Sequence, residues 1–413
     1  MKQDHVDPNL LFVGTEFGAY FSNDAGLNWT KLSGLPTIAV YDLDIQKREN
    51  DLVAATFGRG FYVLDNYTIL RSLSKEILDK KAHLFPVKDA LLYVPADPLG
   101  LDGTGFQGHN MWSAKNPEFG AVFSLHLKDE FKTLKSIRQE KEKLLEKDKK
   151  DVDYPSFDEI RKEENDEDAK LIWIVSDALG KEIRRMTSTP AKGLNNLTWN
   201  LRSNNTNPIK AGGNGFLVSP GIFSLSVCLL KNGSIEVLVD KQMFNVRGLN
   251  NQTLIAKNPE ELIKFRAEVA ELNRKVSGAS NLLSEAQEEL DFISEAIINY
   301  PNTDVSLLTE TRALKLLIDE CELALYGDNV RSSREFETVP SISSRLDMVG
   351  YQIYENTAGV TNTHRSNKII VEEEYASVRI KLDDLIKRLE ILQQKLESVP
   401  IPYTKKRSNW KKE

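Results

Sequence analysis

Two hydrophobic periods divide the chain. In residues 1–66, short runs of β-branched and aromatic residues are separated by glycine-containing turns, which is typical of strands joined by hairpins. From residue 258 onward, apolar residues recur every three or four positions, which predicts amphipathic helices. We therefore expect a multidomain chain in which β-sheets precede a helical region.

The first 66 residues contain one pattern twice. Residues 11–21 (LFVGTEFGAYF) return as residues 52–62 (LVAATFGRGFY), with an offset of 41 at the leucine and 42 at the later glycine. Each copy predicts two strands joined by a hairpin, and residues 41–45 predict a further strand between them. A repeat of roughly 40–50 residues made of short strands is typical of β-propeller blades.

A tight-turn motif lies between the two copies. Residues 22–29 (SNDAGLNW) match the Asp-box pattern S-x-D-x-G-x-x-W, with Ser22, Asp24, Gly26 and Trp29 as its defining residues. We expect Asp24 to accept backbone N–H bonds, Gly26 to take a positive φ and Trp29 to pack under the loop. These roles are structural, so the motif predicts a fold rather than a chemistry.

The repeat and the turn motif together resemble the last blades of the sortilin-like Asp-box (BNR-repeat) β-propellers, a family often labelled glycosyl hydrolase in bacteria. The segments that carry the resemblance are residues 14–18 (GTEFG), 48–52 (RENDL) and 56–60 (TFGRG). It implies propeller blades in residues 1–66, but fewer than two blades are present and a closed propeller needs at least four. We therefore expect the C-terminal portion of a longer protein that is secreted, periplasmic or on the cell surface, with the remaining propeller blades as partners.

Residues 67–118 predict a connector, and residues 119–248 an Ig-like β-sandwich. The sandwich resembles the flagellar hook-cap-like Ig domains of secreted bacterial proteins. That resemblance rests on residues 176–184 (SDALGKEIR), 193–201 (GLNNLTWNL) and 220–225 (PGIFSL). More than half of residues 128–168 are charged, with both signs mixed, which predicts a solvated helical insertion in the sandwich.

Residues 258–399 predict an antiparallel helical bundle. Asn258 and Pro259, followed by two glutamates, form a helix start signal. Two heptad seams follow, which we expect to pair with each other within the chain rather than between chains. The first seam is Leu262, Phe265, Val269, Leu272, Val276, Ala279, Leu283, Ala286, Leu290, Ile293 and Ile297; the second is Val371, Tyr375, Val378, Leu382, Leu385, Leu389, Leu392 and Leu396. Residues 400–413 predict a basic tail, within which residues 405–412 (KKRSNWKK) are expected to be a frayed terminus, with contact to a polyanion as the alternative.

Composition and residue spacing argue against several classes of function. The net charge of −7 argues against nucleic-acid binding as the main role, and no apolar run approaches the ~20 residues that span a membrane. Cys228 and Cys321 fall in different predicted domains and are expected to be free and buried. The five histidines show no metal-ligand spacing, and the glycines of residues 100–105 lack the Gly-Lys-Ser/Thr of a phosphate loop. We therefore expect no metal and no cofactor.

Two polar residues on the predicted hairpin turns, Glu16 and Arg59, are candidates for ligand binding. The alternative is that they form an ion pair that braces neighbouring hairpins. No catalytic residue can be assigned, because glycoside hydrolysis needs two carboxylates about 5–10 Å apart and no pair can be identified among Glu16, Asp42 and Asp44. The sequence favours a binding or scaffold role, with a carbohydrate or protein ligand; the alternative is part of a glycoside hydrolase. It leaves enzymatic activity open.

Overall fold

The structure, a computed structural model, describes residues 1–95, 108–110, 116–206, 213–249, 254, 256, 258–301, 303–399, 401 and 404. Antiparallel sheets occupy its first part and helices its last, so the predicted order of β and α regions is confirmed. The chain divides into two compact units. The first unit comprises Met1–Leu91, Gly103–Asn200 and Pro220–Arg247, and the second Leu92–Asp102, Leu201–Ser219 and Gly248–Glu413.

The two sequence repeats form two neighbouring sheets. The first sheet has the order β1-β2-β3-β4 and the second the order β5-β6-β7. Their strands are β1 (Lys2–Gln3), β2 (Leu11–Thr15), β3 (Gly18–Ser22), β4 (Thr30–Lys31), β5 (Val40–Gln46), β6 (Asp51–Thr56) and β7 (Phe61–Leu64). One apolar core joins both sheets: Leu10, Phe12, Ala19, Phe21, Val40, Leu43, Leu52, Ala54 and Tyr67.

A buried carboxylate ties the start of the first sheet to the segment after the second. Asp4 accepts hydrogen bonds from Arg71 Nε (2.7 Å) and Nη2 (2.8 Å) and from the Tyr67 hydroxyl (2.6 Å). Burial alone would raise the pKa of Asp4, but the bonds from Arg71 and Tyr67 outweigh it and hold the pKa well below its usual range. Tyr67 precedes the short helix α1 (Ile69–Ser72), which is followed by α2 (Lys75–Asp79). The beginning of the predicted connector is therefore anchored to the first sheet.

Two further antiparallel sheets face each other in the first unit. Their strand orders are β13-β10-β8 and β12-β11-β14-β15-β9. The strands are β8 (Ala82–Leu84), β9 (Ala90–Leu92), β10 (Ala121–Leu127), β11 (Lys170–Asp177), β12 (Glu182–Ser188), β13 (Gly193–Trp199), β14 (Gly221–Lys231) and β15 (Ser234–Gly248). Buried rings fill the space between the sheets, with Phe123 stacked on Trp173 at 6.3 Å and Trp199 edge-on to Phe223 at 5.3 Å. The two sheets thus share one aromatic core.

The charged segment between β10 and β11 is helical. It contains α3 (Leu134–Lys147) and α4 (Phe157–Glu164), neither of which has a buried residue. Arg138 joins the two helices through bonds to both carboxylate oxygens of Glu163, at 2.6 and 2.9 Å. Ion pairs and helix caps therefore hold this pair of helices more than apolar packing does.

The last part of the chain contains two long helices with shorter ones between them. They are α5 (Pro259–Asn299), α6 (Leu307–Tyr326), α7 (Asn329–Ser332), α8 (Ile342–Tyr354) and α9 (Asn362–Glu397). Asn258 caps α5 by accepting the N–H of Glu261 at 3.3 Å, at the position that the sequence predicts. Every predicted seam residue is buried except Tyr375, which is half-buried.

The predicted antiparallel pairing of the two long helices is wrong. Lys368 bonds Glu268 at 3.0 Å and Tyr375 bonds the carbonyl of Lys275 at 3.1 Å, so α5 and α9 run parallel. The antiparallel neighbour of both is α6, whose Lys315 pairs with Asp291 of α5 and whose Glu320 pairs with Lys381 of α9. The chain returns through α6 and α8 before α9 begins, which gives an up-down-up order. A heptad seam fixes which face is buried but not the direction of the partner helix.

Sequence reasoning also missed a buried cation under the bundle. Arg266 is 6% exposed and donates only to backbone carbonyls: Leu217 at 2.9 Å, Ile353 at 3.0 and 2.8 Å, and Asn356 at 2.8 Å. Burial lowers the pKa of Arg266 to about 10, and the charge of Arg202 adds to the effect. Three of these bonds go to the C-terminal end of α8, where the helix dipole is negative.

Other sequence expectations have mixed outcomes. Cys228 and Cys321 are free and buried, as expected. Within the described ranges, none of the helices is long and apolar enough to cross a bilayer. Ile401 and Thr404, at the start of the predicted basic tail, are buried. Residues 405–413 and the glycines of residues 100–105 lie outside the described residues.

Candidate functional site

The two repeat hairpins project their turns from the ends of their sheets. In the first, Thr15 Oγ1 donates to the Gly18 carbonyl at 3.0 Å and accepts the Phe17 N–H at 3.1 Å. In the second, Thr56 Oγ1 donates to the Gly60 carbonyl at 2.7 Å. Gly18 and Gly60 both have positive φ, at 123° and 70°, which a side chain would strain. We call the surface formed by the two turns and Tyr41 the hairpin face.

Exposed aromatic rings mark this face. Tyr41 and Phe57 lie edge to face with ring centroids 5.6 Å apart, although they are 74% and 64% exposed. A β-bulge between Val40 and Asp42 turns Tyr41 outward, and the Phe57 N–H donates to the Ala39 carbonyl at 2.9 Å. Two aromatic rings in contact at the surface are unusual for a solvated loop, because aromatic side chains are more often buried.

Glu16 and Arg59 lie at the tips of the two hairpins, where both are exposed. In the described part of the chain, neither side chain has a hydrogen bond or an ion pair. The alternative in which a Glu16–Arg59 pair braces the hairpins is therefore wrong: threonine bonds brace each hairpin from within. Both charged groups are free to meet a ligand.

Two of the nearby carboxylates are engaged by local contacts. Asp42 Oδ1 accepts the N–H of the next residue at 2.9 Å, and Asp44 pairs with Lys2 at 3.3 Å. The backbone N–H of Ile45, together with Lys2, lowers the pKa of Asp44. A glycosidase's general acid needs a raised pKa, so the environment of Asp44 works against that role.

The Asp-box turn is held by its own side chains. Asp24 Oδ1 accepts the Asn28 N–H at 2.9 Å and the Ser22 hydroxyl at 2.6 Å, and Ser22 Oγ accepts the Gly26 N–H at 2.8 Å. The Ser22 and Asn28 bonds lower the pKa of Asp24 to about 2. Gly26 has φ 92°. Trp29 lies beside Gly26 but stays 40% exposed, so it flanks the loop instead of packing beneath it.

Strand pairing brings two histidines together. His126 is half-buried and lies directly opposite His83 of β8, and its Nδ1 is buried without a hydrogen bond. Burial, with the charges of Lys80 and His126, lowers the pKa of His83. Two imidazoles alone make an incomplete metal site, and the described residues contain no group of three or more His, Cys, Asp or Glu placed to hold a metal.

Comparisons with known proteins add no relative to these observations. No protein-family model matches the chain, and neither the curated proteins nor the solved structures contain a match.

Proposed function

We propose that this chain is a binding or scaffold module whose ligand, a carbohydrate or a protein, docks on the hairpin face. The observation that carries the proposal is the exposed Tyr41–Phe57 ring pair beside the free charges of Glu16 and Arg59. Rigid aromatic rings with few rotatable bonds, flanked by polar groups, are the side chains that dominate recognition surfaces. The hairpins hold them on strand ends, which limits the entropy lost on binding.

We further propose that residues 1–66 belong to an Asp-box β-propeller of the sortilin-like kind, with further blades as partners, and that the protein acts outside the cytoplasm. Three features support this proposal. The two repeats form consecutive sheets, their hairpins share the same threonine–glycine bond, and an Asp-box turn connects β3 to β4. In addition, β7 is the edge strand of the second sheet, where a further strand could pair. We propose an Ig-like sandwich for residues 119–248, to whose two facing sheets the predicted connector adds β8 and β9.

A role as part of a glycoside hydrolase is the second candidate. Its carboxylates would be Glu16, Asp42 and Asp44, but Asp44 is engaged by Lys2 and its pKa is lowered. We therefore expect this chain to bind a sugar polymer without turning it over.

Binding to a panel of plant and bacterial polysaccharides, measured by affinity electrophoresis, tests the proposal. We expect retention on at least one polymer, lost in Phe57→Ala and weakened in Arg59→Ala. Phe157→Ala is the matched control, because Phe157 is 75% exposed but lies on α4. Retention that survives both hairpin substitutions would contradict the proposed face.

Turnover is assayed in parallel with aryl glycosides. We expect none. Turnover that disappears in Glu16→Gln would overturn the binding role and make Glu16 a catalytic residue. If no polymer is retained, the polysaccharides of the panel are excluded as ligands, and the protein ligand is the form of the proposal that is left to test.

A further inference from the structure

Helix α9 begins with a reciprocal cap in which one partner is a histidine. Thr361 Oγ1 accepts the N–H of His364 at 3.2 Å, and His364 Nδ1 accepts the N–H of Thr361 at 3.1 Å. In the common form of this capping box the third helical residue is Glu or Gln, whose oxygen accepts the bond. Here the acceptor is a nitrogen that can also bind a proton near neutral pH.

The cap fixes the protonation state of the histidine. A backbone N–H can only donate, so His364 Nδ1 carries no hydrogen while the bond to Thr361 exists. An imidazolium has a hydrogen on both ring nitrogens and cannot accept this bond. It also places a positive charge at a helix N-terminus, where the helix dipole disfavours a cation. Protonation of His364 therefore removes half of the cap and destabilises the first turn of α9.

The ring of His364 is buried against the neighbouring long helix. His364 is 5% exposed, and its ring centroid lies 6.3 Å from that of Phe265 on α5. Burial lowers the pKa of His364, and the charge of Arg365 lowers it further. The unfolded value is about 6.5, so the stabilising contribution of the neutral ring is present above that pH and is lost as the pH falls below it.

The charged groups around this end of α9 do not favour a protonated ring. They are Arg365 and Lys368 of α9, Glu261, Arg266 and Glu268 of α5, Arg345 of α8, and Glu355 of the preceding loop. The three carboxylates are already paired, Glu261 with Arg365, Glu268 with Lys368 and Glu355 with Arg202. Arg266 donates to backbone carbonyls and Arg345 to an amide oxygen, so these contacts do not cancel their charges with a carboxylate.

The cap also holds the loop of residues 355–361 that joins α8 to α9. In this loop the Asn356 carbonyl accepts from Arg266 Nη2 at 2.8 Å, and the Thr357 carbonyl accepts the Ala256 N–H at 3.2 Å. Loosening of the loop therefore weakens contacts of the buried arginine and of the segment that precedes α5.

We propose that His364 is an acid-sensitive switch: on acidification its ring binds a proton at Nδ1, the first turn of α9 and the loop before it open, and Phe265 of α5 becomes exposed.

Hydrogen exchange of the full chain at pH 7.5 and pH 5.0 tests the switch. After correction for the pH dependence of the chemical exchange itself, we expect the protection of residues 355–366 to fall about tenfold at pH 5.0. The N-terminus of α8 is the internal control, because Ser341 Oγ accepts the Ser344 N–H at 3.2 Å and neither side chain titrates. Unchanged protection of residues 355–366, or an equal fall at both helix starts, would overturn the proposal.

Two substitutions separate the acceptor from the titration. His364→Gln keeps an acceptor that binds no proton, so it should retain the protection at pH 7.5 and lose the fall at pH 5.0. His364→Ala has no acceptor, so residues 355–366 should be poorly protected at both pH values. A His364→Gln chain that keeps the full pH dependence would assign the switch to another group.

The wild-type chain gives a test that does not depend on how the variants fold. In a chain labelled on its histidines, the His364 signal is identified by NMR through the contact with the Phe265 ring. We expect it to titrate below pH 6.5 and the contact with Phe265 to weaken as the ring gains its proton. Titration at or above pH 6.5, or a contact that persists in the protonated state, would contradict the switch.

Discussion

The two N-terminal sheets carry the same sequence pattern but differ in burial. In the first, β3 lies between β2 and β4 and four of its five residues are buried. In the second, β7 has no neighbour beyond β6 among the described strands, and three of its four residues are exposed. Phe21 on β3 is 7% exposed, whereas Val63, its counterpart at the offset of 42, is 55% exposed. Equivalent residues thus acquire different burial from the strands around them.

The comparison extends to the strand that precedes each hairpin. A Cβ placed on Gly14 of β2 would lie 2.6 Å from the Val40 carbonyl oxygen, because β5 approaches β2 there. The counterpart in β6 is Ala55, which keeps its side chain. Gly14 therefore leaves room for the neighbouring strand β5, whereas the equivalent position in the second sheet, Ala55, carries a methyl group.

The largest expected effect is at the paired positions Phe21 and Val63. Phe21→Ala should lower the free energy of unfolding by about 3–5 kcal/mol, because it leaves a cavity in the core that joins the sheets. Val63→Ala should change it by less than about 0.5 kcal/mol. Urea denaturation, monitored by hydrogen exchange in peptides from residues 1–66, measures the free energy of unfolding of both variants. If the two substitutions lower it by similar amounts, the two sheets do not differ in this way.

The Asp4 contact should come next. Asp4→Ala leaves Arg71 and Tyr67 without their shared acceptor, which should cost about 2–4 kcal/mol in the same measurement. The pKa of Asp4 is lower in the folded chain than its usual value of about 3.9 in the unfolded chain. Its contribution is therefore present above pH ~4 and lost as the pH falls below that value. Asp4→Asn should flatten this part of the acid dependence; an unchanged profile would contradict the assignment.

Exchanging the small residues sharpens the comparison further. Gly14→Ala should destabilise the N-terminal sheets by about 1–3 kcal/mol through the contact with Val40. The reciprocal Ala55→Gly should cost roughly 0.5–1 kcal/mol, from backbone entropy alone. If Gly14→Ala costs no more than Ala55→Gly, the close approach of β5 to β2 is wrong.

The smallest effect is expected at the Asp-box turn. Asp24→Ala should speed amide exchange at Gly26 and Asn28, whose N–H groups bond Ser22 and Asp24, while leaving β5–β7 unchanged. Because the pKa of Asp24 is lowered to about 2, its contribution to the turn should be fully present above pH ~4 and should be lost progressively as the pH falls from there towards 2. Unchanged exchange at both amides would remove the structural role of Asp24.

Periodicity predicted the elements well where burial is set by local pattern. The heptad positions of α5 and α9 are buried almost without exception, and the Asn258 cap lies where the sequence places it. The parallel direction of α9 could not be predicted, since a seam is equally apolar in both directions. Arg266 was missed because its acceptors are backbone carbonyls, which leave no signal in the sequence.

The candidate site was predicted only in part. Glu16 and Arg59 follow from the hairpin turns, but the sequence predicts Tyr41 only as a strand residue, because the bulge that turns it outward depends on register. The His83–His126 juxtaposition depends likewise on which strands pair. Cross-strand neighbours are a tertiary property, so alternation along one strand cannot reveal them.

Among the described strands, β7 pairs only with β6 and leaves one edge unpaired, whereas its counterpart β3 pairs with a strand on each side. Hydrogen exchange of the intact chain, resolved to single amides in residues 18–22 and 61–64, tests it most directly. We predict that β3 amides are protected on both sides and that the β7 amides pointing away from β6 exchange orders of magnitude faster. Equal protection of the two strands would contradict the account.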